Sequence, residues 1–177
     1  NGKVTAKSAG TATVYAMCDN NVAECTVTVT AKPPVEIKDT TKIFKDVEAG
    51  RWYVNAINYN YSYGFIAGMS ADTFGVSNQI TRGQFITILA RIAGVDTSAN
   101  ANKTTTKFTD VESGRFYTAA IKWASDNKIV AGMTDTTFAP TAPIQRQQLC
   151  VMIVNFAKFT RTPVDGATAR IRFADER

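Results

Sequence analysis

The spacing of apolar residues changes character near residue 44. Upstream, Thr11-Ala12-Thr13-Val14-Tyr15-Ala16-Met17-Cys18 is rich in β-formers, and Cys25-Thr26-Val27-Thr28-Val29-Thr30 alternates with period two, the pattern of a half-buried strand. Val4-Thr5-Ala6-Lys7 predicts a preceding strand, Ser8-Ala9-Gly10 a turn, and Asp19-Asn20-Asn21 the turn of a hairpin. Three short strands bury little by themselves, so either something is missing on the N-terminal side or another surface completes the sheet. Cys18 and Cys25 flank the hairpin loop. A register closing on that loop sets them opposite each other, within reach of a disulfide. The other reading is two small strand residues. Lys32-Pro33-Pro34 and the polar residues to 43 predict a stiff linker.

From Phe44 the period becomes helical and the sequence repeats. Residues 44–96 align on 108–160 without a gap at a constant offset of 64, with eighteen of 53 positions identical. A fixed period of this kind marks a duplicated supersecondary unit. Phe173-Ala174-Asp175 restarts the Phe-x-Asp opening, so residues 161–177 predict a connection and the start of a third copy. Each copy predicts helix, loop, helix. The first helix spans about Arg51 to Tyr63, with Gly64 as its stop. Thr81-Arg82-Gly83-Gln84 has capping-box spacing and opens the second helix. Phe85, Ile88, Leu89 and Ile92 recur at i, i+3, i+4, i+7, predicting the core-facing stripe, and Leu149, Met152, Ile153 and Phe156 take its place in the second copy. The Thr/Asn/Lys-rich residues 97–107 connect the two copies.

Composition narrows the chemistry. The 177 residues hold no histidine, which removes the commonest general base and metal ligand. Three scattered cysteines without histidine make no ordinary zinc site, and neither metal nor cofactor is expected. No nucleophile–base pair or carboxylate dyad at useful spacing appears, so these residues are expected not to be an enzyme. The net charge of +5 favours an acidic partner. The basic residues are dispersed rather than striped with aromatics, which argues against nucleic acid. No apolar run approaches the ~18 residues of a membrane span. There is also no initiator Met or signal-like segment at Asn1, so the chain reads as a mature product or a piece of something longer.

Phe44-Lys45-Asp46-Val47, Trp52, Ala56-Ile57, Gly64, Gly68, Phe74 and Ile80-Thr81-Arg82-Gly83-Gln84 together resemble an S-layer homology domain. The second copy matches through Phe108-Thr109-Asp110-Val111, Gly132, Phe138-Ala139-Pro140 and Ile144-Gln145-Arg146-Gln147-Gln148. Residues 1–31 are similar to the end of a bacterial immunoglobulin-like domain of group 2, through Gly2-Lys3-Val4-Thr5-Ala6, Gly10-Thr11-Ala12-Thr13-Val14 and the closing Cys25–Val29 segment. The resemblances imply a multidomain chain: part of an all-β sandwich, then mainly α-helical tandem repeats of a pseudo-threefold bundle left incomplete. They imply a secreted protein of the bacterial cell surface. It would be anchored without covalent bonds to an acidic, pyruvate-bearing secondary cell-wall polysaccharide. A third repeat beyond Arg177 in cis, or self-association, would complete the bundle. The alternatives are an ancillary anchoring region of a surface hydrolase or adhesin, and a structural spacer that binds no ligand.

The family's ligand residues carry to Arg82 and Arg146, with Thr81 beside the first, to the aromatic Trp52 (Phe116 in the second copy), and to Gly68 and Gly132. A planar guanidinium holds a carboxylate by two parallel hydrogen bonds, and the unpaired N–H groups of a helix N-terminus favour the same anion. Bland readings stand beside these. Arg82 and Arg146 could brace Asp46 or Asp110, Trp52 could be core, and the glycines could only reverse the chain. Asp46 and Asp110 read as turn or cap residues before the first helix. On the ligand reading Arg82 is a surface residue that does not support the core. Gln84 and Gln148 replace the family's glutamate, and Gln145 is a poor N-cap, so the second site is expected to be the weaker.

Overall fold

The computed structural model describes residues 8–18, 21–30 and 34–162, Cys18 by its backbone alone. The expected strand at Val4–Lys7, the turn residues Asp19-Asn20, Lys32-Pro33 of the linker and the restart at Phe173 lie outside them. The chain divides into two compact units, 1–36 and 37–177.

In the first unit, strands β1 (Gly10–Cys18) and β2 (Asn21–Val29) form a two-stranded antiparallel sheet. The described residues make a hairpin, not a sandwich, and they leave Tyr15, Met17 and Val22 exposed. The register corrects the expected disulfide. Cys18 lies opposite Asn21, and Cys25 lies opposite Val14. The pairing starts at Asn21 and carries Cys25 four positions past Cys18's partner, roughly 13 Å along the strand. That exceeds what a disulfide spans, and Cys25 is a free, exposed cysteine.

Among the described residues the second unit opens with a 3₁₀ turn (Thr40–Lys42) and four helices follow: α1 (Val54–Ser62), α2 (Arg82–Ile92), α3 (Thr118–Asp126) and α4 (Arg146–Thr160). The Thr81 capping box forms as its spacing predicts: Thr81 Oγ1 accepts from Gln84 N–H at 3.2 Å, and Gln84 Oε1 accepts from Thr81 N–H at 2.8 Å. At α4, Gln148 Oε1 still accepts from Gln145 N–H, at 3.2 Å. Gly64 ends α1 in the left-handed region at φ +71°, and Lys128 takes the same conformation after α3 at +58°.

The packing does not follow the boundaries of the repeats. Phe44, Val47 and Ile57 form a small core in the first copy, with Tyr61 and Phe74 against it. Ile86, Leu89 and Ala90 of α2 instead join the core of the second copy, beside Phe108, Tyr117, Ile121, Ile129 and Phe138, and α2 packs on α3. The second helix of one repeat therefore closes the core of the next. This corrects the expected stripes in part: Leu89 and Met152 are buried as expected, and Phe85 and Phe156 pack against the core. Ile86, Leu89 and Ala90 are buried, whereas Phe85 and Ile88 are half-buried and Ile92 is exposed. In α4 only Met152 is buried, and Ile153 is exposed.

A candidate binding groove where the two repeats meet

The same loop architecture is built twice. Asp46 accepts the N–H groups of Phe74, Gly75 and Val76 at 2.7, 2.7 and 3.2 Å. Asp110 accepts those of Phe138 and Ala139 at 2.8 and 2.7 Å. Neither caps a helix: the N-cap positions of α1 and α3 are Tyr53 and Tyr117, and neither helix has a side-chain cap bond. Each carboxylate reaches a loop 28 residues on and fixes its backbone. The Phe74 N–H bond, with those from Gly75 and Val76, holds the Asp46 carboxyl below its ordinary value against the opposing effect of burial. The loop glycines are there for space. A Cβ on Gly68 would lie 2.4 Å from the Phe44 ring and 2.8 Å from Thr73 O. On Gly132 it would lie 2.2 Å from Thr134 O and 2.5 Å from Thr137 O.

Arg82 is 3% exposed, which overturns its reading as a surface residue. Its Nε donates to Phe138 O at 2.9 Å, Nη2 to Ala131 O at 3.4 Å, and the guanidinium stacks 4.6 Å from the Phe138 ring centroid. Burial lowers its pKa and the charge of Asp110 partly opposes this, so Asp110 acts on Arg82 through space while holding the same loop. The N-terminus of α2 is closed as well. Arg82 N–H donates to Ala142 O at 2.9 Å, Gly83 N–H to Pro140 O at 2.8 Å, and Gln84 N–H to Thr81 Oγ1. The three donors that would have met an anion are already satisfied by protein. Arg82 fastens the first repeat to the loop of the second.

Beside this junction lies a groove of about 510 Å³. The loop of the first repeat gives it Gly68, Met69 and Phe74, the following turn Asn78 and Gln79, and α2 its Gln84, Thr87, Ile88 and Arg91 face. The second repeat contributes Phe116, which stands half-exposed and edge-on to Tyr117 at 4.9 Å between ring centroids. Gln84 Nε2 donates to Met69 Sδ at 3.2 Å and steadies the groove wall. Most of the wall is apolar, from residues such as Ile66, Met69, Phe74, Ile80 and Phe116; its polar groups include three side-chain amides and one guanidinium, and among the described residues no acidic one lines it. That combination suits a polar ring carrying a negative group.

Of the residues expected from sequence, the groove gathers Gly68 and Phe116. Thr81 caps α2 and Arg82 lies beneath Phe138. Trp52 is 92% exposed against Tyr53, which removes its reading as core. Arg146 is exposed at the start of α4, and Gly132 sits in the loop of the second copy. Sequence reasoning missed Arg91, Asn78 and Gln79. The groove sets Gly68 of the first repeat beside Phe116 of the second. A signal existed in the alignment, since Asn78, Gln79 and Arg91 face Ala142, Pro143 and Asn155 and so differ between copies.

Among the described residues, no helix is long and apolar enough to cross a membrane. The S-layer homology domain matches residues 43–86 and 107–150. The chain is similar to a surface layer protein of Brevibacillus choshinensis, 32% identical over 91 residues, which is 51% of this chain and 8% of that protein. It is similar to an endoglucanase of a Bacillus species, 32% identical over 119 residues, 67% of this chain and 12% of the enzyme. A cellulosome-anchoring protein of Acetivibrio thermocellus is 25% identical over 111 residues, 63% of this chain and 25% of that protein. The chain thus spans a quarter or less of the length of these relatives.

Proposed function

Because the chain carries two S-layer homology domains, we propose that its repeat region holds a cell-surface protein on an acidic, pyruvate-bearing polysaccharide of the cell wall, and that it binds without catalysing. A location at the cell surface or wall follows from the S-layer and cell-wall relatives. The observation that carries the finer reading is the groove between the repeats. It combines Phe116, the amides of Asn78, Gln79 and Gln84, and Arg91 in about 510 Å³, the size and chemistry of a saccharide site. Whatever the remainder of the parent protein does, including hydrolysis as in the endoglucanase relative, this region would bring it to the wall.

A spacer without ligand draws support from one feature. Arg82, which the family resemblance nominates as a ligand residue, is engaged in joining the repeats. Co-sedimentation with purified wall sacculi separates the two readings. The chain is expected to pellet with intact sacculi and to stay in solution once the polysaccharide has been extracted. Equal pelleting with both, or with neither, would refute the polysaccharide as its partner.

A further inference from the structure

Among the described residues the groove holds one charge, that of Arg91, and no ion pair engages it. Arg91 is half-buried, and its only hydrogen bond among the described residues is a long one, Nε to Thr97 Oγ1 at 3.4 Å. The acidic residues that form ion pairs in the described chain all pair elsewhere: Asp39, Glu48, Asp72, Glu112 and Asp126 with Lys42, Arg51, Lys45, Arg115 and Lys122. Among the described residues no carboxylate lines the groove. A half-buried guanidinium without a counter-charge, set in a mostly apolar wall beside neutral amides, is matched by an anion on the occupant. The second repeat does not reproduce this. Its counterpart of Arg91 is Asn155, whose amide is spent on Ile129 O at 3.2 Å, and its counterparts of Asn78 and Gln79 are Ala142 and Pro143.

We propose that Arg91 of the first repeat binds the carboxylate of the wall saccharide while Phe116 of the second carries the sugar ring, and that this composite groove is the only acid-reading site of the two repeats. The inference rests on the anchoring function proposed above and names the residues that give it selectivity. It also assigns the acid to Arg91 in place of Arg82 and Arg146. The positive end of α2 contributes nothing, because its donors are closed by Ala142, Pro140 and Thr81.

The test is calorimetric titration of the whole chain with short fragments of pyruvylated wall polysaccharide, and with the same fragments after removal of the pyruvate. The wild type is expected to bind one acidic fragment per chain, at least about tenfold tighter than the depyruvylated one, the lower end for a charge-assisted hydrogen bond. Arg91→Gln is expected to bind both fragments alike, at the wild-type affinity for the depyruvylated form, and Arg91→Lys to keep part of the preference. Thermal melts run on each variant separate lost binding from lost folding. An Arg91→Gln protein that folds and still prefers the acid would overturn the assignment. Equal wild-type affinity for both fragments would overturn it too, yet leave polysaccharide anchoring standing. No binding of either fragment would overturn the anchoring reading itself.

Discussion

Arg82 and Phe138 are 56 residues apart in sequence and joined by a 2.9 Å hydrogen bond in the fold. Arg82→Ala would leave the buried Phe138 carbonyl without its charged donor and remove the cation from its ring, a loss of about 1.5–3 kcal/mol. Arg82→Lys should recover little, since an ammonium reproduces neither the fork nor the flat stack. Melting temperatures should therefore fall in both variants, and an unchanged melt would sink the bracket. Asp46 acts on its own loop, and its effect depends on pH. Its carboxyl is depressed below 3.8 by the Phe74, Gly75 and Val76 N–H groups. A depressed carboxylate stabilises the fold above its unfolded-state value, and that stability is lost as pH falls through the folded value. Thermal stability should decline on acidification below about pH 4, and Asp46→Asn should lower it at neutral pH while flattening its share of the decline. Asp39, Asp72 and Asp96 are shifted the same way, so part of the slope should persist. A wild-type slope retained in full by Asp46→Asn would refute the assignment. At this scale the sequence reveals little of who touches whom. Phe-x-Asp identifies a repeated carboxylate, but nothing local says that it serves a loop 28 residues away.

Helices were easier to read than the surfaces they bury. Thr81 and Gln84 predict the start of α2 because capping is chemistry between neighbours in sequence. The stripe through Phe85, Ile88, Leu89 and Ile92 holds only in part: Leu89 is buried and Phe85 packs against the core, but the cover comes from the other repeat and falls also on Ile86 and Ala90. Periodicity reports that a helix has an apolar side, and the strip finally buried depends on what docks there. The loops give a sharper expectation. Gly132→Ala would press a methyl against the carbonyls of Thr134 and Thr137, both backbone atoms. It should cost about 1–3 kcal/mol. Gly68→Ala should cost less, because it meets one backbone oxygen, Thr73 O at 2.8 Å, where Gly132 meets two at 2.2 and 2.5 Å. Urea titration of the two variants checks the order, and the reverse order would show that the Gly132 loop yields more readily than its geometry implies.

For the molecule as a whole, the constant offset of 64 gave the units but not how they join. The first repeat lends α2 to the second, so the larger core belongs to neither alone. A fragment ending near residue 104 should show little helix by circular dichroism, whereas one spanning 37–162 should melt in a single transition. Independent folding of the shorter piece would contradict a shared core. At the far end, α4 presents the positions that α2 buries. Thr87 is 2% exposed and Leu89 6%, whereas their counterparts Val151 and Ile153 are 60% and 45% exposed. That contrast accords with the expected third repeat or with self-association, and substituting Val151 and Ile153 by serine would test it by changing the sedimentation of the chain.

The reach from Arg82 to Phe138 also sets a waiting time. A chain emerging N-terminus first at about 5–20 residues per second exposes α2 for roughly 3–11 s before its acceptor loop exists. During that interval Ile86, Leu89 and Ala90 have no native cover, and the guanidinium among them keeps its charge in water. The residue that later locks the junction therefore hydrates this apolar face while it waits, and a neutral replacement should raise aggregation during synthesis more than its effect on the finished fold would indicate.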